Sequence, residues 1–135
     1  MGIIILNISP AIVNIHVFDE ITKLTGRDLL FNPFFKAPPI VMSFVTYTTV
    51  FNVPNGLVNF KYRITNPANE ITHETNINGV EVTSNAFSTT LIWNNVNLTM
   101  VGEHTITFYL ASQNGFEPTG STVIIVTPQP NNNNG

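Results

Sequence analysis

Val58-Asn59-Phe60-Lys61-Tyr62-Arg63-Ile64-Thr65 is the stretch that decides the fold. Val58, Phe60, Tyr62 and Ile64 fall on one side of an extended chain, and Asn59, Lys61, Arg63 and Thr65 on the other. Successive side chains of a strand point to opposite faces, so this is a strand with one buried and one wet face. Pro54-Asn55-Gly56 before it reads as a turn, because Pro presets one dihedral and Gly accepts a positive one. Asn66-Pro67-Ala68-Asn69 turns the chain behind it.

Working outward, the same pattern recurs. Ala11 to Phe18 alternates, with Val13, Ile15 and Val17 opposite Asn14 and His16. Leu29 to Phe31 is a short strand before a loop rich in Pro and Phe, Asn32 to Pro39. Ile40 to Val53 is apolar on both faces in places, as a central strand should be. Glu70 to Asn78 follows, and Asn78-Gly79 is the preferred pair for a two-residue hairpin turn. Ser88 to Leu98, Glu103 to Ala111 (Ile106, Phe108 and Leu110 inward) and Ser121 to Thr127 complete the series. Gln113-Asn114-Gly115 and Thr119-Gly120 read as turns between the last ones. About seven to nine mostly antiparallel strands and no helix predict an all-β sandwich.

Composition agrees. The chain of 135 residues holds 19 Asn, 17 Thr and 28 Ile plus Val, but only 5 Ala. Thr, Ile and Val suit a pleated surface and Asn suits turns. With 43% hydrophobic residues the chain as a whole is not disordered, although only 10% are charged. No cysteine means no disulfide, no thiolate metal site and no cysteine nucleophile. Five Lys and Arg against eight Asp and Glu leave too little positive charge for a groove that tracks nucleic-acid phosphates.

A single domain over residues 1–127 is expected, with a disordered Pro- and Asn-rich tail at 128–135. Met1 to Pro10 has no basic leader and no small-residue cleavage site, so it is not expected to act as a signal peptide. No run approaches the ~20 apolar residues of a membrane helix, and no membrane insertion is expected. Two sequons, at Asn7 and Asn97, are read as products of an Asn- and Thr-rich composition.

Leu98 to Leu110, with Gly102 and His104 in it, resembles the corner between the fifth and sixth strands of immunoglobulin-like and fibronectin-type sandwiches. Those domains show a Leu, then Gly, then Tyr two residues later, whose hydroxyl bonds backbone a few residues upstream. Leu98 and Gly102 match, and His104 stands at the tyrosine position, where its ring is expected to bond nearby backbone. The chain is also loosely similar to small bacterial and phage sandwich domains of unknown function. The pieces are Asp19, Thr25-Gly26, the Asn32 to Phe35 loop, Ile40 to Val53 and the corner. The resemblance implies an immunoglobulin-like β-sandwich and no catalytic site.

Candidate chemistry is sparse. His16 with Asp19 and Glu20, His73 with Glu74, and Glu103 with His104 are the metal-ligand candidates. Neighbours on a strand point apart, so neither adjacent Glu and His pair chelates alone, and no metal or other cofactor is expected. No Gly-x-Ser-x-Gly elbow surrounds any of the six serines, and no glycine-rich phosphate loop occurs. No catalytic residue is assigned and no enzyme is expected. Trp93 is read as a core anchor. Tyr47, Tyr109 and Phe116 remain as binding candidates, the basis of a carbohydrate-binding alternative. Phe34 and Phe35 between prolines are either a lid on the sandwich or a partner-binding knob.

The expected function is a non-catalytic interaction or structural module, with a phage, viral or surface assembly component as its concrete form. The expected partner is protein, through self-association. Ile3-Ile4-Ile5-Leu6-Asn7-Ile8 carries five large aliphatics and no charge, and such a segment must pair with a sheet edge in its own or a second copy. Either this segment or an adjacent sheet edge is the expected interface.

Overall fold

The computed structural model describes residues 11–18, 40–113 and 115–128. They form eight strands and no helix: β1 Ile12–Phe18, β2 Ile40–Phe51, β3 Gly56–Thr65, β4 Ile71–Glu74, β5 Asn78–Val82, β6 Ala86–Leu98, β7 Gly102–Ser112 and β8 Gly115–Val126. Two antiparallel sheets result, ordered β1-β2-β6 and β4-β3-β7-β8, with β5 also pairing β3. The protein is an all-β sandwich.

The alternation read in Val58 to Thr65 is what places β3 in the middle of its sheet. Phe60, Tyr62 and Ile64 are buried, and Val58 is half-buried against the core. Ile106, Phe108 and Leu110 of β7 lie beside them in register, Tyr62 opposite Phe108. From the facing sheet, β2 contributes Phe44 and Val50 and β6 contributes Trp93. Tyr62 stands edge-on to Phe108 at 5.2 Å and to Trp93 at 5.9 Å, and Phe44 stacks on Trp93 at 5.7 Å. Offset and edge-on contacts of this kind add to the burial of large apolar area. The doubly apolar reading of β2 matches its central place: Val45, on the opposite face, is buried too.

Two threonines interrupt this apolar interior. Thr46 and Thr48 are fully buried on the inner row of β2. The Thr48 hydroxyl and the Tyr62 phenol share a hydrogen bond of 2.7 Å, and the Trp93 indole N–H donates to Thr46 at 2.9 Å. Polar groups brought into the core with the two large rings thus find partners there.

Two turns expected from the sequence are not turns. Asn78-Gly79 begins β5, opposite Phe60 and Asn59 of β3. The two-residue turn is made instead by Ser84 and Asn85, at φ 61° and 57°, between the paired residues Thr83 and Ala86. Positive φ at both central positions is the geometry that suits the twist of a hairpin. Asn85 is held there by its backbone N–H on the Asn55 side-chain oxygen (2.8 Å) and by its amide on the Val53 carbonyl (3.0 Å). Thr119-Gly120 lies inside β8, so that strand starts at Gly115 and not at Ser121. Glycine is needed at 120 for close approach: a Cβ there would lie 2.6 Å from Val13 Cγ1 and 2.7 Å from its Cβ. The segment read as one strand from Glu70 to Asn78 is likewise split into β4 and β5. Leu29–Phe31, the Pro and Phe loop, Ile3–Ile8 and the tail from 129 lie outside the described residues.

Two outcomes are expected from this packing. Burial pushes the Tyr62 phenol up to about 12, against the smaller opposing effect of its bonds to Thr48 and Thr46. The unfolded chain ionises near pH 10, so this group's contribution is whole below pH 10 and is lost as pH rises towards 12. The loss is on the order of 3 kcal/mol for a phenol displaced that far. Urea midpoints between about pH 9 and 12 will fall accordingly, and Tyr62→Phe will flatten that slope while costing ~1–3 kcal/mol at neutral pH through the abandoned Thr48 hydroxyl. Gly120→Ala will destabilise by about 1–3 kcal/mol, as overpacking against a branched side chain does. An unchanged urea midpoint for that variant would show that β1 does not pack on β8.

Candidate functional site

Because β3 turns Tyr62 and Ile64 inward, it turns Lys61 and Arg63 outward, onto the open face of the larger sheet. These are the only Lys or Arg among the described residues, which hold five glutamates. Cross-strand register brings their partners. Arg63 lies opposite Glu74 of β4, and Lys61 lies opposite Tyr109 of β7. Glu74 Oε2 accepts from Lys61 Nζ at 2.7 Å and from Arg63 Nε at 2.9 Å. Those bonds, Lys61 first, hold the Glu74 carboxyl below the ordinary range, and Glu74 in turn raises Arg63. Each cation also lies over a ring: Lys61 Nζ is 4.8 Å from the centre of Phe116, and Arg63 Cζ is 5.0 Å from that of Tyr109. Cation and ring attract through the ring quadrupole.

Two of the sequence candidates, Tyr109 and Phe116, are therefore neighbours on one surface, half-buried beneath charged side chains. Tyr47 is elsewhere, on the outer face of the smaller sheet, opposite His16 in register. There His16, Phe18, Tyr47 and Thr49 line an open hollow of about 410 Å³. Trp93 is buried, as expected of a core anchor. Phe34, Phe35, Asp19 and Glu20 lie outside the described residues. Among the described residues no group of three His, Asp or Glu is placed to hold a metal, and no helix is long and apolar enough to cross a membrane.

The corner residues form a small structure of their own. Leu98 and His104 are buried, and the His104 Nε2 donates to the Met100 carbonyl at 2.8 Å. With Nε2 carrying the proton, Nδ1 is buried with no hydrogen-bond partner among the described residues. Gly102 adopts φ 124°, and a Cβ there would come within 2.9 Å of Pro67. Pro67 belongs to the β3–β4 turn, where the Asn66 side-chain oxygen accepts from the N–H groups of Ala68 and Glu70, each at 2.9 Å. The two turns thus lean on each other. His73 on β4 is held below the ordinary imidazole value by burial and, secondarily, by His104. Glu103 points away to the outer face, so Glu103 and His104 do not converge.

No protein-family model matches the chain, and no curated protein does. Lys61, Arg63 and Glu74 form no recognisable motif in the sequence, where Lys61 and Arg63 read simply as the wet face of a strand. The available signal is that these two are the only cations after Lys36 and stand two apart on one strand face. The partner on β4 carries no local mark, because pairing is set by the turn between the strands.

Replacing His104 by Ala will cost roughly 1–3 kcal/mol in urea titrations, the range for a lost buried hydrogen bond that orphans its partner. The same variant will leave the Tyr109 and Phe116 surface unaltered. A stability equal to wild type would mean that the Met100 bond contributes nothing.

Proposed function

We propose that this chain is a non-catalytic interaction or structural module of immunoglobulin-like type, which associates with copies of itself as part of an assembled surface such as a phage or viral particle. The observation that carries this reading is where its apolar residues lie. Ile12 and Phe51, paired across β1 and β2, are 52% and 46% exposed, and Val123 and Ile125 on one face of β8 are 41% and 39% exposed. Exposed apolar residues grouped on sheet faces, in a chain with few charges, are what an interface between proteins requires. The Leu98, Gly102 and His104 corner supports the immunoglobulin-like type.

Carbohydrate binding is the second reading. Tyr109 and Phe116 on one outer face favour it, but Lys61 and Arg63 already cover both rings. The assembly reading is therefore preferred.

Size-exclusion chromatography with light scattering on the full chain at tens of micromolar is expected to give an oligomer. A chain lacking residues 1–8 separates the two interfaces: loss of the oligomer assigns it to that segment, and retention assigns it to a sheet edge. Folded monomers in both cases would remove the main support for assembly. A glycan screen of the wild type and Tyr109→Ala tests the alternative, which fails if neither binds.

A further inference from the structure

The edges of the two sheets are not equally guarded. Natural edge strands avoid pairing with other chains by being short, charged, bulged, proline-bearing or covered. β8 carries Glu117, Pro118 and a register shift opposite Phe108 and Tyr109, and β1 lies against it at Gly120. β4 and β5 are four and five residues long and carry Glu74 and Glu81. β6 differs from all of these. Its 13 residues contain no charge and no proline, and among the described residues it pairs with β2 and, beyond the bridge from Ala86 to Thr83, with no other strand.

The free part of β6 has defined limits. It runs from Phe87 to Trp93, because Ala86 closes the turn with Thr83 and Asn94 and Asn95 lie in the register shift opposite Ser43. Beside it, the arms of the β5–β6 turn part company, one into each sheet. They leave a groove of about 290 Å³ lined by Phe60, Tyr62, Val80 and Leu91 with polar uncharged neighbours. On the outer side Ser88, Thr90, Ile92 and Asn94 are exposed, so nothing among the described residues lies over the strand there.

We propose that β6 of one copy pairs antiparallel with β6 of a second, about a two-fold axis at Thr90. The smaller sheets then join into one of order β1-β2-β6-β6-β2-β1. This deepens the assembly reading above and rests on it. The occupant of this edge must be an extended strand, must lack a partner on one side, and must bring no charge against Leu91 and Val80. Among the described residues, β6 itself meets all three conditions. Thr90 is the middle of Phe87–Trp93, so an axis there keeps both outer faces on one side and sets Thr90 against Thr90, Ser88 against Ile92 and Thr89 against Leu91. Two-fold, self-complementary contacts are the commonest form of association between identical chains. No like charges meet, although each chain carries a net −3. A ladder of about seven residues spans only about 23 Å, so a weak, concentration-dependent dimer is expected.

Sedimentation velocity on the full chain from micromolar to several hundred micromolar tests this. Wild type should show a monomer–dimer equilibrium. Thr90→Lys and Thr90→Glu, on an exposed position, should each weaken the dimer by at least about tenfold, because like charges then face each other across the axis. An equimolar mixture of the two should restore it, which only this register requires. Ser121→Lys, on an exposed position of β8, should change nothing, and circular dichroism checks that each variant is folded. If one Thr90 variant fails to fold, the other carries the same reading. An oligomer indifferent to both substitutions overturns the β6 interface and leaves self-association standing. A wild type that stays monomeric throughout overturns both.

Discussion

The buried hydrogen bond between Tyr62 and Thr48, one residue from each sheet, is the constraint on which the two layers depend. Apolar faces alone would hold the sheets together, but they would tolerate sliding. A phenol that must meet a hydroxyl of the facing sheet does not. Tyr62 finds Thr48 only when β3 lies across β2 at one setting, whereas the Trp93 bond to Thr46 lies within one sheet and holds β6 to β2. Displacing either sheet along its strands would leave buried polar groups unpaired, at a cost of ~1–3 kcal/mol for each. The threonines therefore trade a little apolar area for a unique alignment.

That alignment reaches the surface through the pleat. With Tyr62 fixed inward, Lys61 and Arg63 are fixed outward, and the ladders to β4 and β7 decide what they meet. One neighbour supplies Glu74 and the other Tyr109, while Phe116 arrives by way of β8. The charged and aromatic strip is thus a consequence of the interior register. Its charges largely satisfy one another, which explains why the strip makes a better brace across the sheet than an open ligand platform. A surface ion pair adds little to stability by itself, but here neighbouring strands share the network.

Legibility in the sequence depends on the range of the interaction. The alternation of Val58 to Thr65 and the doubly apolar Ile40 to Val53 are local patterns, and strands stand there, the second ending at Phe51. Gly120 reads as turn chemistry because a missing side chain looks the same whether φ must be positive or a neighbour must come close. The neighbour is Val13, from the first strand of the fold, and no local pattern reveals it. Asn78-Gly79 misleads for a related reason: the best turn pair is outcompeted when its residues can extend a ladder with β3. At the outer face, Tyr109 and Phe116 stand out in the sequence as aromatic side chains, whereas Glu74 becomes significant only through the β3–β4 register.

The asparagine-rich, charge-poor composition has a conformational logic as well. Of the five non-glycine residues at positive φ among the described residues, four are asparagines: Asn52, Asn69, Asn85 and Asn95. The short amide tolerates the left-handed region better than other side chains and can bond nearby backbone. Asn85 shows how: its backbone and its amide anchor the crossing from one sheet to the other onto the β2–β3 connection. Asn95 does a different task within β6. Its left-handed backbone faces the register shift between Met42 and Phe44, and its N–H bonds Ser43 Oγ at 3.0 Å. A bulge sharpens twist and ends regular pairing, which is one way to protect a sheet edge without charge. Its protection extends only to the residues beyond it, Val96 to Leu98. From Phe87 to Trp93 the strand has neither bulge nor charge. Backbone shape, with little charge, thus guards the end of β6 and leaves this stretch without a second strand among the described residues.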